Sequence, residues 1–342
     1  MGERIPGDQG RQLIQKVPTV NWHRTPDSQA GRPPIPNPVS MTTTTADPQP
    51  PPDGSRRRLL AALYRRPRLQ QALLLTPPVG WFGVVYLGSL ALLLVTAFWT
   101  FDGTTGRIVQ HLTLENVRQI VEQPLFRTVA GRTLVFAAAV TLVDMVIAFP
   151  IAYYMAQVAG RRTRSILFML CLLPLWASYL VRVYAWRVIL SPNGPLDWAL
   201  QGLGLGPAGL YPSELGAGIV FAYLWLPYMI LPLYAGLERV PRSLLEASAD
   251  LGGRSLTTFR RVVLPLVLPA LAAGSIFTFS LTLGDYITPS LVSNNQFIGN
   301  VIFERQGVSG NVPLAAAFTL VPIAIMAIYL FIARRLGAFE AL

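Results

Sequence analysis

The sequence predicts an all-α membrane protein, a polytopic bundle of six transmembrane helices, on three observations. Apolar residues make up 52% of the chain and charged residues only 13%, about half the charged share usual for a soluble domain. Runs without any charge recur between Arg68 and Asp102, Glu214 and Glu238, Arg261 and Asp285, and Arg305 and Arg334. Arginines carry almost all of the formal net charge of +11 and fall in short clusters between those runs. Nucleic-acid binding needs a solvated basic face, so this pattern speaks for membrane topology and against a nucleic-acid partner.

Residues 1–54 hold RPPIPNP and TTTTADPQPPPDG. A stretch so polar and proline-rich cannot bury enough surface to offset its ordering entropy, and it reads as a disordered cytoplasmic tail. Met41, ahead of TTTT, is a second candidate start, which would leave 1–40 untranslated. Residues 55–71 form a basic lead-in with Arg56, Arg57, Arg58, Arg65, Arg66 and Arg68. The first apolar run begins near Gln70. It is longer than the core of a secretion signal and is expected to stay attached as the first span.

A hydrocarbon core about 30 Å thick calls for roughly 20 mostly apolar residues per helix. Spans are expected at 72–99, 133–157, 166–189, 215–237, 263–285 and 311–333, within a membrane domain over 72–335 that leaves a short tail at 336–342. With six spans, the arginines ahead of the first, Arg161, Arg162 and Arg164, Arg239, Arg242, Arg254, Arg260 and Arg261, and Arg334 and Arg335 all fall on one side. The other side has sparse arginines accompanied by Asp102, Glu115, Glu122 and Glu304. The positive-inside rule then places both termini in the cytoplasm. Pro150, Pro174, Pro227, Pro232, Pro269 and Pro322 fall inside the expected spans. Each would cost about 3 kcal/mol in a soluble helix, but neighbouring helices and water can re-satisfy the freed carbonyls in a bundle.

Asp144 and Arg182 interrupt the second and third spans. A charge at the bilayer centre costs about 2.5 to 3.5 kcal/mol on insertion scales and normally faces a partner or a cavity, so the two are candidates to pair with each other, or Asp144 to meet a solute. Asp285 closes the fifth span, where it can cap the turn toward Tyr286 and Thr288 or contact a solute. Trp81, Trp99, Trp186 and Trp225 suit span ends and helix interfaces. Cys171 is the only cysteine, which excludes an internal disulfide, and His23 and His111 are isolated. No residue cluster supports hydrolysis, a metal or a cofactor. No phosphate-cradling GxxxxGK[ST] segment occurs.

Between the fourth and fifth spans, over 240–262, Pro241 suits a first helical turn and Leu244, Ala247, Ser248 and Leu251 recur at helical spacing as a less polar face. Gly252 and Gly253 can supply a left-handed end, and Ser255 is placed to cap the next helical run. The stretch is either a passive returning loop or a docking knob.

Glu246-Ala247-Ser248, then Gly252, then Leu264 and Pro265 at the end of Val262-Val263-Leu264-Pro265 resemble the EAA loop of membrane permeases in bacterial ATP-binding cassette importers. The resemblance covers roughly 70–335. Serine stands for the usual third alanine and valine for the usual isoleucine. FPIAYYMA from Phe149, LVRVYAWRVIL from Leu180, LGDYITPSLVS from Leu283 and FIGNVI from Phe297 are similar to the spermidine/putrescine-type branch. The glycine pair common after that third segment is replaced by Val292-Ser293-Asn294-Asn295.

The resemblance implies a non-catalytic permease subunit in a bacterial inner membrane, importing a polyamine or similar small organic solute. It implies three partners: a cytoplasmic ATPase dimer, a second permease subunit that is a different chain, and an external solute-binding protein. Glu246, Ala247, Ser248, Leu251, Gly252, Leu264 and Pro265 would be its ATPase-coupling element. On the residues alone, an ion-coupled transporter using Asp144 and a non-transporting membrane anchor stay open.

Overall fold

A computed structural model describes residues 67–335. The expected tail, most of the basic lead-in and residues 336–342 lie outside the described residues. Among the described residues, five helices are long and apolar enough to cross a membrane, and a helix pair bent by 94°, Arg161–Trp176 with Tyr179–Gly202, makes a sixth if it counts as one span. Among the described residues, the exception to all-α structure is a two-stranded antiparallel hairpin, β1 Thr100–Asp102 with β2 Arg107–Val109, in the connection after the first span. Asp102 turns this hairpin by accepting from the hydroxyls of Thr104 and Thr105, each at 2.6 Å, which hold its carboxyl well below the usual range.

The first span runs through α1 Pro67–Trp81, a π-helical segment Phe82–Leu87 and α2 Gly88–Thr96. The π segment begins four residues after Pro78, where the missing N–H and the bulk of the proline ring push carbonyls out of α register. The span is apolar on every side, and none of Leu74–Thr96 is buried within the chain. A short helix α3 Glu115–Glu122 follows, anchored by Asn116, whose amide donates to the carbonyls of Ala97 and Trp99, each at 2.8 Å.

The core is a triple of long helices: α4 Pro124–Tyr153, extended by a π turn Tyr154–Val158, then α8 Glu214–Glu238, then α11 Leu264–Gly284. One buried cluster joins Ala148 and Ala152 of α4 and Met155 of its π turn to Met229 and Leu233 of α8 and Val267 of α11. Small residues allow this approach. A Cβ on Gly236 would collide with the Ala270 side chain, and one on Gly274 would sit 2.8 Å from the Met229 sulfur. α4 begins at Pro124, well before its expected start at 133, because Phe126 and Val129 find a second buried cluster with Phe279, Leu283 and Phe318. The last span, α14 Val312–Arg335, contributes Leu314 and Phe318 to that cluster.

The expected third span at 166–189 is corrected. It is two helices, α5 Arg161–Trp176 and α6 Tyr179–Leu190, and a short α7 Pro195–Gly202 follows; the chain bends by 94° at the break. Ala177 and Ser178 are extended, with ψ of 143° and 138°, just beyond Pro174. Hydropathy cannot register such a bend, since both arms are apolar.

After α11 the chain forms two short helices, α12 Ile287–Val292 and α13 Ile298–Phe303, and a π turn Glu304–Val308. This region is clamped to the ends of α4 and α8. Arg132 Nε lies 3.3 Å from Glu214, Asn295 donates to the same carboxylate at 2.6 Å, and the Ile298 N–H donates to the Thr133 hydroxyl at 3.0 Å.

Replacing Gly236 or Gly274 by valine overpacks the α8/α11 crossing, at a cost of about 1 to 3 kcal/mol. The thermal unfolding midpoint of detergent-purified protein is expected to fall for either variant and to hold for Gly80→Ala, whose new Cβ meets nothing within 4 Å. An unchanged midpoint for Gly236→Val would show that the crossing is not close-packed.

Candidate functional site

The connection from α8 to α11 is built as a compact helical unit. α9 spans Arg242–Asp250 and starts directly after Pro241, whose carbonyl accepts the Leu244 N–H at 3.1 Å. Pro241 therefore precedes the helix instead of forming its first turn. The helix ends in a Schellman arrangement: Gly252 has φ +76°, its N–H donates to Ala249 O at 2.9 Å, and the Gly253 N–H donates to Ser248 O at 2.8 Å. Both glycines are needed for separate reasons. Gly252 occupies the left-handed region, and a Cβ on Gly253 would lie 2.6 Å from Ser248 O.

Ser255 is the first residue of α10 Ser255–Thr258 and makes no capping bond, since Arg254 takes the extended cap position. The polar bond inside the loop is instead Ser248 Oγ to Thr258 Oγ1 at 2.8 Å, which ties α9 to α10. A π turn, Phe259–Val263, then leads into α11, where Leu264 and Pro265 occupy the first positions. Those two residues belong to the stem of the loop and not to its tip.

The two faces of α9 divide differently from the expected stripe. Leu245 packs inward against the core cluster together with Phe259, which stacks edge-on to Phe149 at 4.9 Å, and Ser248 is half-buried beside them. Leu244, Glu246 and Ala247 point outward, and Leu251 is 90% exposed. The result is an apolar exposed tip on a helix fixed from below. A cavity of about 470 Å³ separates the inner face from Phe149, Pro150 and Tyr153 of α4.

The stem is braced against α4 and α5. Gln157 donates to Leu237 O at 2.7 Å, Arg242 donates to Gln157 O at 3.2 Å, and Arg164 meets Glu238 at 3.0 Å while also donating to Ala156 O at 3.0 Å. None of these partners was singled out from the sequence. Arg164, Arg242 and Glu238 were visible there only as charges flanking the apolar runs, far apart in the chain.

The intramembrane charges do not form the expected pair. Asp144 is fully buried on α4 with neither carboxylate oxygen bonded, and Arg182 on α6 has Nε and Nη1 buried and unbonded. No ion pair within 4 Å joins them. The bend before Tyr179 gives α6 a direction that a straight third span would not have, so spacing along two straight helices misplaces Arg182. Trp225 Nε1 on α8 is likewise buried without an acceptor.

Asp285 does cap the start of α12. Its Oδ1 accepts the N–H of Ile287 at 2.8 Å, and Oδ2 accepts the Thr288 hydroxyl at 2.8 Å. The structure adds a partner that sequence reasoning missed: the Tyr179 hydroxyl, carried in by the bend of the third span, donates to the same Oδ2.

Known proteins are similar to this chain in sequence and in fold. Residues 148–339 match the family described as binding-protein-dependent transport system inner membrane component. The chain is 49% identical over 293 residues to the inner membrane ABC transporter permease protein YdcU of Escherichia coli, covering 82% of this chain and 93% of that protein. It is 31% identical over 248 residues to the spermidine/putrescine transport system permease protein PotB of Haemophilus influenzae, covering 71% and 86% of the two. In fold it is similar to a bacterial ABC transporter involved in import of the acidic polysaccharide alginate, with TM-score 0.62 and 18% identity over 81% of this chain and 99% of that one.

Gly252→Val forces a β-branched residue into the left-handed region at roughly 1 to 2 kcal/mol. Amide hydrogen exchange over 242–253 is expected to quicken about tenfold or more, with Gly252→Asn close to the parent because asparagine tolerates that conformation. Unchanged exchange in Gly252→Val would mean that the cap does not hold α9 in place.

Proposed function

The chain belongs to the binding-protein-dependent transport system inner membrane component family as a permease subunit of an ABC-type importer for a small solute, and from that premise we propose that its solute is a polyamine or a similar small organic molecule. Importers of this kind unite permease subunits with a separate ATPase and a solute-binding protein, and the permease itself is not catalytic. The polyamine reading is supported by the likeness to a permease of a spermidine/putrescine system and by LGDYITPSLVS and FIGNVI in the sequence.

The observation that carries the coupling role is the capped loop helix with its exposed tip. Leu251 at 90% exposure and outward Glu246 and Ala247 present a small apolar surface suited to a groove of the ATPase. Gly252 gives the tip its sharp exit, and Leu264 and Pro265 lead its motion into α11. Nucleotide-driven closure of an ATPase dimer would press on this tip, and the braced stem would pass the displacement to α8 and α11. The second permease subunit is a different chain, packed beside this one. The arginine-rich end, including the loop and both termini, faces the cytoplasm.

In proteoliposomes holding the whole importer and its binding protein, labelled putrescine should enter only with ATP and continue when ion gradients are collapsed. Uptake that stops with the gradient while ATP persists would replace this reading with an ion-coupled one. Leu251→Ser should insert normally yet lower solute-stimulated ATP hydrolysis roughly tenfold, the scale of a lost interface anchor; full stimulation would remove Leu251 from the coupling contact. In a Cys171→Ala background, Thr104→Cys should react with an impermeant maleimide on intact cells and Ser243→Cys only after permeabilisation. The reverse pattern would invert the topology.

A further inference from the structure

The 94° bend of the third segment leaves part of the bundle open. Before the bend, Leu167 and Phe168 of α5 pack on the buried cluster of Ala148, Ala152, Met229 and Leu233, in the half of the bundle nearer the α9 loop. Beyond it, α6 lends only Trp186 to a groove of about 860 Å³ that remains on the other half. Gly218 and Ala222 of α8 form its floor, and Phe136, Val143 and Ile147 of α4 line one wall. A Cβ on Gly218 would meet only two atoms of the Phe136 ring, each at 3.9 Å, so no contact within the chain calls for glycine there.

The length of the groove restricts what it fits. α4 and α8 run in the same direction, since Phe136 lies against Gly218 and Phe221 while Ala148 and Ala152 share a cluster with Met229 and Leu233. The lining extends from Phe136 to Ile147 and from Glu214 to Leu226, which at 1.5 Å per residue is about 17 Å and about 18 Å. That is close to half of a hydrocarbon core about 30 Å thick, so the groove is one leaflet deep. A transmembrane helix of another subunit would need a track across both halves. The groove instead stops at Leu226, which packs on the same cluster as α5.

The charges at its mouth restrict the occupant further. Apart from Glu214, every lining residue is uncharged. Glu214 and Arg132, one turn above Phe136 on α4, lie 3.3 Å apart with side chains 44% and 32% exposed. An accessible anion and cation side by side match a zwitterionic headgroup: the guanidinium can donate to a phosphate, and a primary ammonium can donate to the carboxylate.

We infer that the groove holds one tail of a phosphatidylethanolamine-like lipid from the leaflet opposite the α9 loop, with its phosphate at Arg132 and its ammonium at Glu214. The tail covers the surface that an unbent third segment would cover. The site does not depend on which solute is carried.

The full chain, purified in mild detergent and stripped of lipid, is offered phosphatidylethanolamine, phosphatidylcholine or phosphatidylglycerol with identical tails. Native mass spectrometry then counts bound lipid, and the unfolding midpoint is read beside it. One phosphatidylethanolamine per chain is expected, bound about tenfold or more tighter than the other two, with a midpoint that rises with its concentration because the lipid binds the native state. Gly218→Leu and Ala222→Leu place a good helix former in the groove and should weaken that binding about tenfold or more while the lipid-free midpoint holds. Glu214→Gln, which leaves the groove open, should erase the preference for phosphatidylethanolamine over phosphatidylcholine. Gly80→Leu on the first span, where a Cβ meets nothing within 4 Å, should bind as the parent does. The site is overturned if the parent holds no lipid, if it holds the three lipids alike, or if both groove-filling variants keep parental affinity. In the assembled importer, a photoreactive side chain at position 218 should label phospholipid; labelling of a second permease chain would place a helix in the groove and overturn the lipid.

Discussion

The close approach of α8 and α11 is the contact from which the remaining architecture hangs. Lipid tails are as apolar as leucine, so helices in a bilayer gain little from hiding apolar surface against each other and associate through tight packing. Gly236 against Ala270 and Gly274 against Met229 supply that packing. The loop of residues 239–263 joins the same ends of these two helices, so their spacing sets the width of its stem. Val240 and Val263 at the two feet are buried in the cluster that holds Met229, Leu233 and Val267. In the proposed cycle, a push on α9 therefore reaches the crossing through covalent continuity and buried contacts.

At the other end of the bundle the backbone departs from regular helix, and it does so under a clear constraint. Non-helical backbone at membrane depth persists only where protein or a cavity satisfies its polar groups. The extended residues Ala177 and Ser178 meet this condition through local helix-end bonds: Ala177 N–H donates to Pro174 O at 3.3 Å, and Ser178 O accepts from Arg182 N–H at 3.2 Å. The Tyr179 hydroxyl then links the break to Asp285. A bend and a cap thus occupy one junction, while the loop end relies on a Schellman turn and a serine–threonine bond. The first span differs from both. Its hydropathy is close to that of the core helices, yet none of Leu74–Thr96 is fully buried; Leu93 packs beside Ala97, Ala316 and Ala317, and most of the rest of the span is left to lipid or to another subunit.

Much of this was legible in the chain itself. Charge-free runs located four spans, because a helix in lipid must be long and apolar whatever surrounds it. Gly252 announced the end of α9, since few other residues accept φ near +76°. Asp285 was readable as a turn cap from Thr288 three residues on. Other features were not legible. Leu245 and Leu244 are adjacent leucines, and no local rule says which one turns inward; Phe259 and Phe149 decide it by packing on Leu245's side. Ser255 looks like a cap by residue type, but Arg254 takes the position because the path from Gly253 directs the backbone there.

The sequence by itself determined the class of molecule, the approximate place of its long apolar segments, and the presence of the loop helix. These depend on composition and short-range stereochemistry. Tertiary structure alone decided that the third segment bends, that Asp144 and Arg182 do not meet, and that Tyr179 bonds Asp285 across 106 residues of chain. The reason is geometric: apolarity says that a helix belongs in the membrane but nothing about its direction, and which polar groups meet there depends on the angles between helices.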